Sequence, residues 1–320
     1  MSQYNLTEAK VPTRRAFSEA MVEYANENKE FTVFEADIGG STYTNLFHAA
    51  HPLRYFQMGI AEGNMVSAAS GMAADGRTVV CSSYGVFLTM RALESVRTFI
   101  CYPNLNVKFL SSHGGFTAAI DGVTHQATED IANMTTLPNM KVLVPADTAA
   151  AEAMPQTALE APGPVFVRLM RDPLFDIYPA GEKFAVGGSK LVREGSDVTI
   201  VAYGDILFQA LEAADKLAEK QISAEVLDFY SVKPFDEAAL HASLDKTGCL
   251  VVAENHQKRN GLGYELSNHL LKKRPVPFEN LGLEDTFAES GDYYKLLEKY
   301  GLSAGHIAAA AEKVQAAKGD

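Results

Sequence analysis

Short apolar runs of strand character alternate with helical segments along almost the whole chain, and this alternation sets the strongest limit on its fold. FTVFEAD (31–37), RTVVCSSY (77–84), LNVKFL (105–110), KVLVPA (141–146) and PVFVRLM (164–170) each read as a strand. Strands that are apolar on both sides need cover on both faces, which means a mainly parallel sheet between helical layers. Between these runs, Phe17, Ala20, Met21, Tyr24 and Ala25 recur at helical spacing. A second helix is expected from Glu62 to about Ala74, ended by Asp75-Gly76. Residues 87–100 read as a strong amphipathic helix, with Phe87, Met90, Leu93, Val96 and Ile100 on one side.

The alternation lapses around 173–196, where Pro, Gly and charged residues suggest a linker. It then restarts with strands DVTIVAYG (197–204), AEVLDFY (224–230) and CLVVAEN (249–255), and with helices over 205–221, 235–246 and 261–273. A short strand near FENLGL (278–283) and C-terminal helices complete it. The expectation is an α/β protein of two doubly wound domains, 1–178 and 190–320.

Charge and cysteine usage exclude several classes of function. The net charge of −12 argues against nucleic acid or an anionic membrane as partner, since both need basic patches. No apolar run is long enough to span a bilayer, and MSQYNLTEAKVPTRR lacks the apolar core of a signal peptide. Cys81, Cys101 and Cys249 are far apart and match no zinc spacing, which suits buried thiols in a reducing compartment. A cytoplasmic protein is expected.

Ligands of open parallel sheets bind beyond the carboxyl ends of the strands. EADIGGST (35–42) offers Asp37, paired glycines and Ser41 at one such end, and SSYGVF (82–87) exposes Phe87 at another. SSHGGFTAAIDGVTHQATED (111–130) is a long polar loop with His113, Asp121, His125 and Gln126. Long loops inside compact domains are usually functional. Glu62, in QMGIAEGNMVSAASGMA (57–73), is an acid ahead of small and apolar residues. Two readings stand for it: a first-turn acid favourable to the helix dipole, or a buried functional carboxylate.

GIAEGNM (59–65), YGVFLTMRALESVR (84–97) and SHGGFTAAIDGVTHQATED (112–130) resemble the pyrimidine-binding domain of transketolases, a signature shared with 1-deoxyxylulose-5-phosphate synthases. DVTIVAYG, VLDFYSVKPFD (226–236) and VVAENHQKRNGLGYEL (251–266) resemble the C-terminal domain of that superfamily. The resemblance implies thiamine diphosphate as cofactor. Glu62 would be the glutamate bonded to the aminopyrimidine N1′, which drives formation of the imino tautomer that serves as base. Phe87 would stack on the pyrimidine, although core packing is its plainer reading, and Asp37 joins these as a cofactor-binding candidate. Met90 and Leu93 stand where the family often has aromatics. His113 and His125 would contact substrate hydroxyls or phosphate, and Asp121 a hydroxyl. Arg14, Ser41 and Arg171 would hold a sugar phosphate, with the choice between Arg14 and Arg15 left open.

The family's GDG-and-Asn motif, which binds the diphosphate through Mg²⁺, does not occur in the sequence. The resemblance therefore implies the C-terminal subunit of a split transketolase, without metal ligands of its own. An N-terminal subunit with GDG and Asn would be its partner, and phosphorylated sugars its substrates. It also implies self-association into a dimer through the first domain and a heterotetramer with the partner. Leu88, Ala92 and Phe99 suggest surplus apolar surface for that contact. The alternatives are the β subunit of a 2-oxo acid dehydrogenase E1 component, a deoxyxylulose phosphate synthase-like enzyme, or a non-catalytic regulatory subunit.

Overall fold

A computed structural model describes residues 6–27 and 30–319. In chain order the strands are β1 (Thr7–Glu8), β2 (Phe31–Glu35), β3 (Tyr55–Gln57), β4 (Thr78–Tyr84), β5 (Val107–Ser112), β6 (Lys141–Leu143), β7 (Val165–Arg168), β8 (Phe175–Asp176), β9 (Lys190–Arg193), β10 (Val198–Ala202), β11 (Ala224–Asp228), β12 (Ser231–Lys233), β13 (Leu250–Gln257) and β14 (Phe278–Leu283). They form a seven-stranded sheet in the order β12-β6-β7-β5-β4-β2-β3, a five-stranded sheet in the order β14-β13-β10-β11-β9, and the small ladder β1-β8. The central strands are parallel and their side chains are buried on both faces, as unbroken apolar runs require. No helix among the described residues is long and apolar enough to cross a membrane.

Three features differ from the sequence reading. Each large sheet ends in an antiparallel strand, β12 against β6 and β9 against β11. Because β12 lies beyond residue 230, the first sheet is completed by a segment of the second half of the chain. The stretch 173–196 is no loose linker either. Asp147 caps the helix Thr148–Glu160 by accepting from the Ala150 N–H at 2.7 Å, and its second oxygen accepts from the N–H groups of Ile177 and Tyr178 at 2.7 Å each. Ile177, Tyr178 and Phe184 are buried in the core.

The third concerns residues 87–100, which do not form one continuous helix. An α-helix spans Gly85–Met90, a short turn Leu93–Ser95 follows, and Val96–Cys101 is π-helical, closed by the Tyr102 N–H donating to the Arg97 carbonyl at 3.0 Å. Leu88 and Ala92 are fully buried. They belong to the core and do not contribute spare surface; Phe99, Met90 and Tyr102 are the exposed apolar groups here.

Where 173–196 meets the second sheet, the Tyr178 hydroxyl donates to Asp228 Oδ2 at 2.6 Å, while Asp228 Oδ1 is buried without a hydrogen-bond partner among the described residues. Burial, with Asp147 nearby, pushes the Asp228 carboxyl up to about 8, against the pull of the Tyr178 hydrogen bond. A folded-state value above the unfolded one means the native state keeps a proton that the unfolded chain releases. Stability should then fall as pH rises from the ordinary carboxyl range towards 8, at up to about 1.4 kcal/mol per pH unit. Asp228→Asn cannot ionise, so its stability relative to the parent should improve over that interval. Urea midpoints of the two proteins at several pH values test this, and a constant difference would mean that Asp228 titrates normally.

Candidate active site

Glu62 opens the helix Glu62–Ala74, and its carboxylate is buried, about 1% exposed. Its hydrogen-bond partners are side chains from the next strand and helix. Ser83, near the end of β4, donates to Oε1 at 3.3 Å, and Arg91 Nη1 donates to Oε2 at 3.0 Å. A buried carboxylate is tolerated only with such partners. Strand β4 runs into the helix Gly85–Met90, which sets Phe87 one turn before Arg91, so the Arg91 guanidinium lies over the Phe87 ring, 4.3 Å from its centroid. Phe87 itself is only partly buried.

A cluster of rings adjoins this group. Tyr84 packs against His113 at 4.1 Å between centroids, and His125 meets both Tyr84 and Phe87 edge-on at 5.6 Å. The Tyr84 hydroxyl donates to Ser41 Oγ at 2.8 Å. Arg14 Nη1 donates to the Ser41 carbonyl at 2.7 Å and to Ser41 Oγ at 3.0 Å, and Arg14 Nε donates to the Arg171 carbonyl at 2.7 Å. Arg171 Nε pairs with Asp121 Oδ2 at 3.3 Å, and His113 Nε2 stands 3.9 Å from the same oxygen. Glu62, Phe87, His113, His125, Asp121, Arg171, Arg14 and Ser41 thus form one connected group. Asp37 is not joined to it: its hydrogen-bond partner is Gln57, on β3 at the sheet edge. Arg14 is the arginine that turns inward, while exposed Arg15 pairs with Glu19 at 2.8 Å.

His113 has a positive φ of 63°, a conformation that non-glycine residues adopt sparingly. Burial, then the charges of Arg14 and Arg171 and the nearby His125, push its imidazole down to about 3. The ring is neutral at physiological pH, with Nδ1 facing Ser112 Oγ at 2.9 Å. Burial lowers the Arg14 guanidinium from its usual value, with Tyr43, Asp172 and Tyr84 opposing.

The paired glycines after His113 have a steric origin. A Cβ on Gly114 would lie 2.4 Å from Arg168 Nε, and one on Gly115 would lie 2.4 Å from Asn255 Oδ1. Arg168, fully buried, binds Asp130 Oδ2 through Nε at 2.8 Å and donates from Nη2 to the carbonyls of Ala127 at 3.2 Å and Asn255 at 2.8 Å. Asn255 in turn accepts from the Phe116 N–H at 3.0 Å and donates to Asp205 Oδ2 at 2.6 Å. The polar loop is therefore held from behind by the second half of the chain. Sequence reasoning missed Arg91, Ser83, Tyr84, Arg168 and Asn255. For Arg91 a signal existed: a buried acid needs a cation, and an arginine stands four residues after the aromatic candidate.

Residues 9–175 match the transketolase pyrimidine-binding domain family, and residues 187–307 match the transketolase C-terminal domain family. The chain belongs to the transketolase family. It is 38% identical to a 6-deoxy-6-sulfo-D-fructose transketolase subunit from Clostridium sp. (strain MSTE9), over 94% of either chain. One subunit of an apulose-4-phosphate transketolase from Phocaeicola vulgatus is 31% identical, over 91% of this chain and 94% of that one. Among solved structures, a split gene transketolase described as an inactive beta4 tetramer superposes with a TM-score of 0.89 at 42% identity, covering 96% of this chain and 99% of that chain. Both transketolase relatives are subunits, and their lengths correspond to that of this chain.

Proposed function

We propose that this transketolase-family chain is the pyrimidine-binding subunit of a two-component, thiamine diphosphate-dependent transketolase that moves a two-carbon ketol unit between anionic sugars. The observation that carries the reading is the grouping of Glu62, Arg91 and Phe87. A flat guanidinium with N–H donors spans a buried carboxylate and an aromatic face. An aminopyrimidine offers the same two features, a π-surface and a protonatable nitrogen, so the residues fit that ring. When bound, thiamine diphosphate supplies a nucleophilic carbon that breaks and makes bonds next to a carbonyl. Glu62 would hold a proton against the ring nitrogen. Phe87 would lie against the ring, and Arg91 would give up its place on Glu62.

Neutral His113, with His125 and Asp121, would bind sugar hydroxyls. Arg14, Arg171 and Ser41 would meet an anionic sugar terminus, a task suited to the planar guanidinium. Arg171 is shared between Asp121 and Asp172, so a phosphate would displace a carboxylate there. The sulfo and phosphate groups in the relatives' names are consistent with an anionic substrate. The diphosphate and its Mg²⁺ would be held by a partner subunit, in a cytoplasmic heterotetramer. The isolated chain would self-associate and remain inactive.

The test is reconstitution. The purified chain with thiamine diphosphate and Mg²⁺ should turn over no ketose phosphate. Adding a subunit that carries GDG and Asn should give ketol transfer to an aldose. Turnover by the chain alone would defeat the two-component reading, and silence of the assembled pair across ketose phosphates and sulfosugars would favour a non-catalytic subunit.

A further inference from the structure

Away from this site, three ligating side chains meet on the second domain. The helix Glu237–Thr247 is firmly bounded: Asp236 caps its start by accepting from the Ala239 N–H at 3.0 Å, and Gly248, with a φ of 70°, ends it. Glu237 and His241 are four residues apart and share one face of this helix. His269 reaches them from the helix Leu262–Lys273. His241 Nε2 and His269 Nε2 are 3.0 Å apart, and Glu237 Oε1 lies 3.8 Å from the first and 3.6 Å from the second.

These spacings can be compared with those around an ion. With metal–ligand bonds of roughly 2.0–2.1 Å, tetrahedral angles separate neighbouring ligand atoms by about 3.3 Å. The observed separations of 3.0, 3.6 and 3.8 Å bracket that value, so shifts of a few tenths of an ångström complete the geometry. His269 is largely buried and stands edge-on to Phe235 at 5.4 Å, which limits its motion. The two Nε2 atoms face each other at hydrogen-bond distance, so both ring nitrogens point into the space between the two helices.

We infer that Glu237, His241 and His269 form a binding site for a divalent ion of the zinc class, which ties the helix Glu237–Thr247 to the helix Leu262–Lys273. Two imidazole nitrogens select Zn²⁺, Co²⁺ or Ni²⁺ over Mg²⁺ and Ca²⁺, which prefer oxygen. Water would fill the remaining position, as at other three-ligand sites. Lys273 is the competitor: its ammonium group bonds the same Glu237 oxygen. It is 53% exposed and free to swing into solvent. Glu237 also lines a cleft of about 440 Å³ with Lys233, Phe235, Asn260 and Tyr264, so an ion here would stiffen one wall of that cleft.

The experiment uses the full chain, stripped with a chelator and titrated with Zn²⁺ by calorimetry and with Co²⁺ by visible absorption. One equivalent should bind, with ligand-field bands for Co²⁺ and a rise in melting temperature. His241→Asn and His269→Asn should each weaken binding by at least about tenfold and abolish the Co²⁺ bands. Lys273→Met should tighten it, a gain that a purely structural role for the histidines would not produce. Circular dichroism of the histidine variants separates lost ligation from lost fold. Zn²⁺ binding that both histidine variants retain would assign the ion elsewhere, and no uptake by either the parent or Lys273→Met would overturn the inference.

Discussion

Glu62→Gln is expected to lower kcat of the reconstituted enzyme by roughly 10²–10⁴-fold, the usual range for a lost acid–base group. Glutamine keeps the shape, and its one oxygen can still accept from Arg91 while its amide N–H donates to the Ser83 hydroxyl, but it cannot hold or pass the proton. The fold should survive, because Arg91 is about half exposed and can find water when its counter-charge is removed. The measurement is steady-state kcat beside a urea midpoint for the same preparation. A variant with parental kcat would make Glu62 a structural acid. A variant that fails to fold would show instead that the carboxylate is needed to neutralise Arg91.

The other large effect is expected behind the site. Arg168→Met should destabilise the chain by about 3–5 kcal/mol, because it strands a buried charge instead of removing a pair. Asp130 would stay in the interior without its cation, and the carbonyls of Ala127 and Asn255 would each lose a donor. Burial already pushes the Asp130 carboxyl up to about 6, against the pull of Arg168. Adding Asp130→Leu should recover part of the loss, since a neutral pair of similar volume removes the stranded charge. Urea midpoints of the two variants decide between a charge effect and simple loss of packing: equal losses would point to packing.

Much of the frame was readable because its signals are local. The helix at Glu62 begins and ends where its small-residue run does, and the polar loop from Ser111 to Asp130 carries His113, Asp121 and His125 into one group. Choosing Arg14 over Arg15 needed three dimensions, since the two are adjacent and only packing on Ser41 and Arg171 separates them. The break after Met90 was hidden because residues 87–100 keep an amphipathic pattern through it. Burial of Leu88 and Ala92 was hidden because periodicity reports one apolar face, and here the backbone changes its turn. Arg168 and Asn255 lie inside strand-like runs, where nothing local distinguishes a polar residue that anchors a loop.

Strand β12 has a further consequence, for the order in which the chain can form. Its Ser231 and Lys233 pair with Leu143 and Val142 of β6, far earlier in the chain, and supply the edge of the first sheet. Until residue 233 is available, β6 presents an unpaired row of backbone donors and acceptors, which invites pairing with another chain. Release of a finished first half, with the second following at leisure, is therefore blocked by connectivity. Contacts this distant in sequence must wait for a large loop to close, which slows folding and lengthens exposure of that edge. The two halves are coupled as one unit of synthesis, and a chain cut in the stretch 173–196 would leave its first half with a permanently open flank.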